Sequence, residues 1–334
     1  MKLTVFSTHD YDREYFDKVN AEFGHEIVYH DAQLTEDTAA LAEGSEAVCL
    51  FINDRANRAA LESLANAGVK LLTLRSAGFN HVDLEAAEAF DLKVMRVPAY
   101  SPEAVAEHTA ALILALNRKT HKAYNRVREG NFSLNKLTGF TMKEKTVGVV
   151  GTGKIGIAFC KIMLGFGCRV IAHDPYPSEE AKALGVDYIG LEELYNQADI
   201  ISLHCPLTPE NHRMIDGEAI SHMKKGVMLI NTSRGGLVHT KSVIQALKQR
   251  HIGSLGIDVY EQEENLFFRN LSEEVIEDDM IMRLMSFPNV LITAHQAFFT
   301  DTALTNIATT TLQNVTDFEQ GNDSENTVTS DRIK

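Results

Sequence analysis

Residues 147–156 read V-G-V-V-G-T-G-K-I-G, and Gly151, Gly153 and Gly156 fall in the spacing G-x-G-x-x-G. That spacing alone is a weak signal for a phosphate cradle, so its surroundings decide. Val147–Val150 is an apolar run suited to a buried strand, Lys154–Phe166 has helical periodicity, and the following run Arg169–His173 ends at Asp174, 18 residues beyond Gly156. Strand, glycines, helix and acid together make a dinucleotide fingerprint, which a plain glycine-rich turn would not need. Gly151 permits the tight turn, Gly153 lets the backbone approach a pyrophosphate, and Gly156 lets helix and strand pack closely. Lys154 and Ile155 open the helix, where free N–H groups attract phosphate. Asp174 can accept from both ribose hydroxyls and would repel a 2′-phosphate, which favours NAD over NADP.

A nicotinamide enzyme that interconverts a carbonyl and an alcohol also needs a proton donor and a handle for its substrate. His295, in T-A-H-Q-A-F-F after the strand Val290–Thr293, stands where a crevice would form. Twelve other histidines compete with it, and a packed or surface histidine remains the alternative. Arg234, in N-T-S-R-G-G after the strand Val227–Asn231, could grip a carboxylate through two parallel bonds, or be an ordinary turn arginine. Glu263, near Glu261 and Glu264, could sit against His295 and favour its proton-donating form, or belong to a solvated acidic loop. Ala77 and Gly78, after the strand Leu71–Leu74, could offer backbone donors to a carboxylate, or form a simple strand-to-helix turn.

The chain that must position these groups has 334 residues, enough for two domains, and its 44% hydrophobic content suits a buried core. A net charge of −14 with scattered Lys and Arg argues against nucleic acid and against an anionic membrane. The N-terminus turns polar too early for a signal peptide, and the longest apolar stretch, Ala110–Leu116, is too short to span a bilayer. Cys49, Cys160, Cys168 and Cys205 form no C-x-x-C pair, so no metal site is expected and the thiols read as reduced, in a cytoplasmic protein. Short apolar runs at Leu3–Ser7, Ile27–Tyr29, Ala47–Phe51, Leu71–Leu74 and Lys93–Val97 alternate with helical patterns such as Arg58–Ala67. A second series follows at Val147–Val150, Arg169–His173, Ile200–His204, Val227–Asn231, Leu255–Asp258 and Val290–Thr293. The alternation predicts two doubly wound parallel sheets. Between the series, Ser101-Pro102-Glu103 starts a helix with nothing to break it before Gly130. At 1.5 Å per residue it would run about 40 Å and link the two domains. A last helix carries Leu304, Ile307, Ala308, Thr311, Leu312, Val315 and Phe318 at helical spacing and is expected to return to the first domain. The polar tail Asn322–Lys334 is expected to be disordered.

Taken together and in order, these segments resemble the D-isomer-specific 2-hydroxyacid dehydrogenases. The resemblance runs through L-R-S-A-G-F-N, V-P-A-Y-S-P-E-A-V-A-E-H, G-T-G-K-I-G, H-D-P-Y, L-H-C-P-L-T-P-E-N, N-T-S-R-G-G, I-D-V-Y-E-Q-E and T-A-H-Q-A-F. N-F-S-L-N-K-L-T-G-F-T-M, N-L-F-F and H-Q-A-F-F look most like its bacterial fermentative members. The resemblance implies a Rossmann NAD-binding domain, residues 101–298, inserted into a flavodoxin-like substrate domain made of 1–100 and 299–334, with the substrate in the cleft between them. It implies that Arg234 binds the substrate carboxylate, His295 protonates the keto oxygen and Glu263 orients His295. Ala77 and Gly78 would donate to the carboxylate, and Tyr100 and Phe298 would close a small apolar pocket. Thr232 and Ser233 would line the cofactor cleft with Cys205, Pro206 and Asn211, and Asp258 would lie near the nicotinamide. The implied reaction is NADH-dependent reduction of pyruvate to D-lactate by a cytoplasmic homodimer or homotetramer. A bulkier 2-oxo acid such as phenylpyruvate is the alternative substrate, since a methylene or two changes such choices by only about 1–3 kcal/mol. A dinucleotide-sensing binding protein is a remoter one.

Overall fold

A computed structural model describes residues 1–263 and 266–333; Glu264, Asn265 and Lys334 lie outside the described residues. The chain divides into two compact units, Met1–Ser101 with Phe299–Lys334, and Pro102–Phe298. The first opens with β1 (Lys2–Val5), α1 (Asp10–Asn20), β2 (Glu26–Tyr29), β3 (Ala47–Leu50), α2 (Arg58–Asn66), β4 (Leu71–Leu74), α3 (Leu84–Ala89) and β5 (Lys93–Arg96). The second begins with α4 (Pro102–Arg118) and α5 (Thr120–Arg128), followed by β6 (Thr146–Val150), α6 (Lys154–Gly165), β7 (Arg169–His173), α7 (Glu179–Ala183), β8 (Asp187–Tyr188), α8 (Leu191–Gln197) and β9 (Ile200–Leu203). It continues through α9 (Gly217–His222), β10 (Val227–Asn231), α10 (Thr240–Lys248), β11 (Ile252–Ile257), α11 (Asp279–Met285) and β12 (Val290–Ile292). The chain then rejoins the first unit with α12 (Asp301–Glu319) and β13 (Thr327–Val328).

The second unit's sheet has the order β12-β11-β10-β9-β6-β7-β8, with every pairing parallel. Its strands are continuous apolar runs because helices cover both faces. Strand order reverses between β6 and β9, so the crevice outside the carboxyl end of β6 is the switch point of the sheet. One face packs Leu229, Ile244 and Leu255 with Leu284, and the other packs Ala106, Ile113, Phe159 and Met163 with Ile230. The helix from Pro102 ends at Arg118, earlier than the sequence predicts. Lys119 takes a left-handed backbone (φ 52°) and α5 begins after it. The stop follows from a docked loop. The Asn117 side chain donates to the Phe140 carbonyl at 2.8 Å and accepts from its N–H at 2.7 Å, while Lys119 Nζ donates to the Thr138 carbonyl. A linking role for this helix is corrected too: α4 is a core helix of the second unit.

The first unit's sheet has the order β13-β5-β4-β3-β1-β2, parallel except where β13 pairs antiparallel with β5. α12 packs Ala308, Leu312 and Val315 against Leu3, Val5 and Leu71 of that sheet. The tail expected to be disordered is therefore corrected through Ile333, since it supplies β13 and a short 3-10 turn. Thr327 pairs with Met95 and Val328, 3% exposed, enters the core, so tertiary pairing overrides the polar composition. β8 was also unforeseen, being two residues long. All four cysteines are unpaired. Burial pushes the Cys49 thiol up to about 11 and Cys160 up to about 12. Among the described residues, no helix is long and apolar enough to cross a membrane, and no three His, Cys, Asp or Glu side chains gather as metal ligands.

Candidate active site

The glycine turn leaves β6 and enters α6 as its spacing predicts. Gly151 has φ 95°, and a Cβ there would stand 2.6 Å from the Cys205 nitrogen. A Cβ on Gly156 would fall 2.1 Å from the Gly151 carbonyl oxygen. A Cβ on Gly153 would meet nothing within 4 Å, so the helix start faces open space. Two glycines thus let the turn close, and the third leaves a cradle bordered by the first amides of α6, beginning at Lys154 and Ile155. These residues fit a dinucleotide pyrophosphate. Asp174, at the end of β7, accepts from Thr152 N–H at 2.6 Å, Thr152 Oγ1 at 3.0 Å and Tyr176 N–H at 2.8 Å. Of about four acceptor positions on a carboxylate, roughly one is left for a ribose hydroxyl, fewer than the sequence reading assumes. Cys205 lies across the turn from Gly151, and burial pushes its thiol up to about 11, so it stays neutral. Desolvation pushes the neighbouring His204 down to about 3, leaving it uncharged. Ser233 Oγ donates to the Cys205 carbonyl at 2.7 Å, Asn211 donates to the Pro206 carbonyl at 2.7 Å, and Thr232 Oγ1 pairs with Thr109 Oγ1 at 2.8 Å.

Arg234, Glu263 and His295 follow β10, β11 and β12, which are neighbours in the sheet. His295 Nδ1 lies 2.9 Å from Glu263 Oε1, and the pair is only 19% and 22% exposed. The carboxylate accepts, so Nδ1 carries a hydrogen and the ring's tautomer and orientation are set. The other oxygen, Oε2, accepts the Tyr260 N–H at 2.9 Å. Phe268, itself left-handed at φ 63°, places its ring 5.8 Å from that of His295. Arg234 donates to the Ser233 carbonyl at 2.7 Å, and its own carbonyl accepts from Asn231 Nδ2. The next residue, Gly235, lies so close to the following turn that a Cβ would be 2.1 Å from the Tyr260 carbonyl carbon. The turns carrying Arg234 and Glu263 are therefore packed backbone against backbone.

Asp258, 0% exposed, ties down the histidine turn. It accepts from Thr293 Oγ1 at 2.5 Å and from the Gln296 and Ala297 N–H groups at 2.9 Å, while its carbonyl accepts the His295 N–H at 2.7 Å. That cage holds His295 at φ 52°, a conformation uncommon outside glycine. Burial by itself would raise the Asp258 carboxyl; hydrogen bonds from His108, Thr293 and Ala297 and the nearby His295 outweigh it and hold the group below the ordinary carboxylate range. His108 was not singled out in the sequence, though its Nε2 sits 3.0 Å from Thr293 Oγ1 and 3.5 Å from Asp258 Oδ1. Tyr260 was missed as well, because what holds Glu263 is its backbone N–H, which any residue could supply. Glu261 proves structural, clamping Arg213 at 2.6 Å and Thr240 Oγ1 at 3.0 Å. Phe298 is buried at 8% exposure. Ala77, Gly78 and Tyr100 belong to the first unit, where Ser76 Oγ donates to the Gly78 carbonyl and Tyr100's carbonyl accepts from Asn306.

Comparison with known proteins places the chain in a family. Residues 110–297 match the family described as the NAD-binding domain of D-isomer-specific 2-hydroxyacid dehydrogenases. The chain is 55% identical to D-lactate dehydrogenase of Escherichia coli K12 over 321 residues, covering 96% of this chain and 98% of that one. The solved apo-structure of the Escherichia coli D-lactate dehydrogenase superposes with a TM-score of 0.91 at 52% identity, over 98% of this chain and all of the other. A structure described as the pyruvate reductase of Chlamydomonas reinhardtii gives 0.92 at 45% identity, over 97% of each chain. With a parallel sheet whose switch point carries the glycine turn, and likeness across nearly its whole length, the chain belongs to the D-isomer-specific 2-hydroxyacid dehydrogenases and is an NAD-dependent oxidoreductase.

Proposed function

We propose that the protein is a D-lactate dehydrogenase that reduces pyruvate to D-lactate, with Pro102–Phe298 binding the cofactor and the other unit binding substrate. The observation that carries this reading is the 2.9 Å contact between His295 Nδ1 and Glu263 Oε1, in the unit that also carries a dinucleotide turn. It gives the enzyme reading a site as well as a fold. When bound, reduced nicotinamide supplies the hydride. Arg234 presents a planar fork that suits a carboxylate. His295 gives a proton from Nε2 to the keto oxygen and becomes neutral, keeping its Nδ1 hydrogen on Glu263. Glu263, held by the Tyr260 amide, stabilises the charged imidazole before that transfer. Asp258 keeps the histidine turn in place and lies toward the nicotinamide. Gly151, Gly153 and Gly156 with Lys154 and Ile155 receive the pyrophosphate, and Asp174 takes a ribose hydroxyl. Thr232, Ser233, Cys205, Pro206 and Asn211 border the same cofactor. Contact of Ala77 and Gly78 with the carboxylate, and of Tyr100 and Phe298 with the methyl group, is part of this proposal. On this proposal a small apolar wall would favour pyruvate over phenylpyruvate.

A cytoplasmic homo-oligomer belongs to the same reading. α5 buries no residue, and Tyr124, Val127, Phe132 and Leu134 are 61%, 51%, 75% and 81% exposed, an apolar surface that a second copy would cover. The reading is tested by following NADH oxidation at 340 nm with a panel of 2-oxo acids, then resolving the product enantiomers. Turnover of pyruvate to D-lactate is expected. Turnover confined to bulkier acids would replace the substrate, and NADH binding without turnover would replace the enzyme with a sensor.

A further inference from the structure

The strand β13 has no part in the chemistry above, yet it is tied into a short chain of bonds that ends on the proposed carboxylate donors. Its flanking residue Asn326 donates from Nδ2 to Asn314 Oδ1 at 2.8 Å, and Asn314, 0% exposed on α12, donates to the Arg96 carbonyl at 3.1 Å. The Arg96 N–H returns to the Asn326 carbonyl at 3.0 Å, closing a ring of three residues at the end of β5. From that ring the Arg96 guanidinium reaches the Ala77 carbonyl oxygen at 2.7 Å, with its carbon 5.3 Å over the Phe79 ring. The far end of the tail is anchored too: Ser330 donates from N–H and Oγ to the two Glu88 oxygens at 2.7 and 2.8 Å.

The Ala77 carbonyl and the Gly78 N–H belong to one peptide unit. In a trans peptide they point in opposite directions; among the described residues there is no cis bond. A cation fixed on the oxygen therefore sets the direction of the N–H and polarises the unit toward stronger donation. The next peptide is pinned by Ser76 Oγ on the Gly78 carbonyl at 2.8 Å. We propose that Arg96 is a positioning residue that aims the Gly78 amide at the substrate carboxylate, and that Asn326 and β13 are the strut that holds Arg96. The inference rests on the reading that Gly78 donates to that carboxylate.

A donor that grips the carboxylate equally in ground and transition state changes KM and leaves kcat alone. Steady-state kinetics on the full chain with pyruvate, alongside NADH affinity by fluorescence, therefore test the proposal. Arg96→Met is expected to raise KM about tenfold, the scale of one charge-assisted hydrogen bond, with kcat and NADH affinity unchanged. Arg96→Lys, which keeps a donor for the Ala77 oxygen, is expected to recover most of that loss. Asn326→Ala is expected to raise KM about threefold through the weakened strut. Gly78→Pro, which removes the amide hydrogen, separates the two ideas. If it raises KM while Arg96→Met and Asn326→Ala do not, the positioning role falls and the donor reading stands. If it leaves KM unmoved, the donor reading falls and takes the proposal with it. Equal losses in kcat and NADH affinity would reduce Arg96 to a general prop, overturning its specific role. Should Arg96→Met fail to fold, Arg96→Lys and Asn326→Ala carry the test.

Discussion

The two units hold their working groups in opposite ways. In Pro102–Phe298 the proposed reactive atoms are side chains, and much of what fixes them is backbone: the Tyr260 amide on Glu263, the Asp258 carbonyl on the His295 N–H, and Gly235 pressed against Tyr260, with the Asp258 carboxylate as a caging side chain. At Ser76–Gly78 of the other unit the proposed donors are backbone, and side chains fix them: Arg96 on the Ala77 carbonyl and Ser76 on that of Gly78. A site fixed by backbone has little slack, because backbone moves only with its whole element. A site fixed by side chains can lose one strut and keep its shape in part. The first arrangement is expected to fail steeply and the second by degrees.

The steepest failure expected is His295→Ala, with kcat lowered by about 10³–10⁴, the reach of a general acid, and NADH affinity retained in a fluorescence titration. Unchanged turnover would move the proton donor elsewhere. Next is Gly235→Ala, which touches no proposed ligand. Its Cβ would stand 2.1 Å from the Tyr260 carbonyl carbon, so the Glu263 turn must shift. A displacement of that kind lowers kcat/KM by about 10², and full activity in this variant would break the contrast between the units. Asp174→Ala is expected to raise NADPH use relative to NADH by about tenfold, from one lost charge-assisted contact and a lost repulsion. An unmoved cofactor ratio would mean that other groups set the preference.

The smallest effect expected is one of pH. The native Asp258 carboxyl is held below its ordinary range, so ionised Asp258 stabilises the fold above the unfolded value of about 3.9 and the contribution is lost as pH falls through the native value. Urea midpoints measured down to about pH 3 are expected to fall less steeply for Asp258→Asn than for the parent. Parallel slopes would remove Asp258 as the stabilising acid of the histidine turn.

Much of the cofactor turn was legible in the sequence because its requirements are local. The three glycines answer to a turn, an open cradle and a close approach within six residues, and Asp174 ends the next strand. His295, Glu263 and Arg234 were only candidates from spacing, since they follow three separate strands and many similar residues competed. His108 could not be read at all, because its partners Thr293 and Asp258 are far along the chain. The break at Lys119 was hidden for the same reason. Lysine suits a helix well, and what ends α4 is a loop docked on Asn117 from more than twenty residues away. The tail misled most, since its polarity resembles disorder and its order comes from partners on β5, α3 and α12.

That tail also bears on how the chain folds as it is made. The unit from Pro102 to Phe298 is continuous and can close as soon as Phe298 is clear of the ribosome. The other unit is split around it, and its sheet lacks α12 across one face and β13 at one edge until residues 301–328 have been translated. Through the whole synthesis of the inserted unit, the faces of β1 and β4 that Leu312 and Val315 will cover stay open, which makes this split unit the one more dependent on chaperone protection.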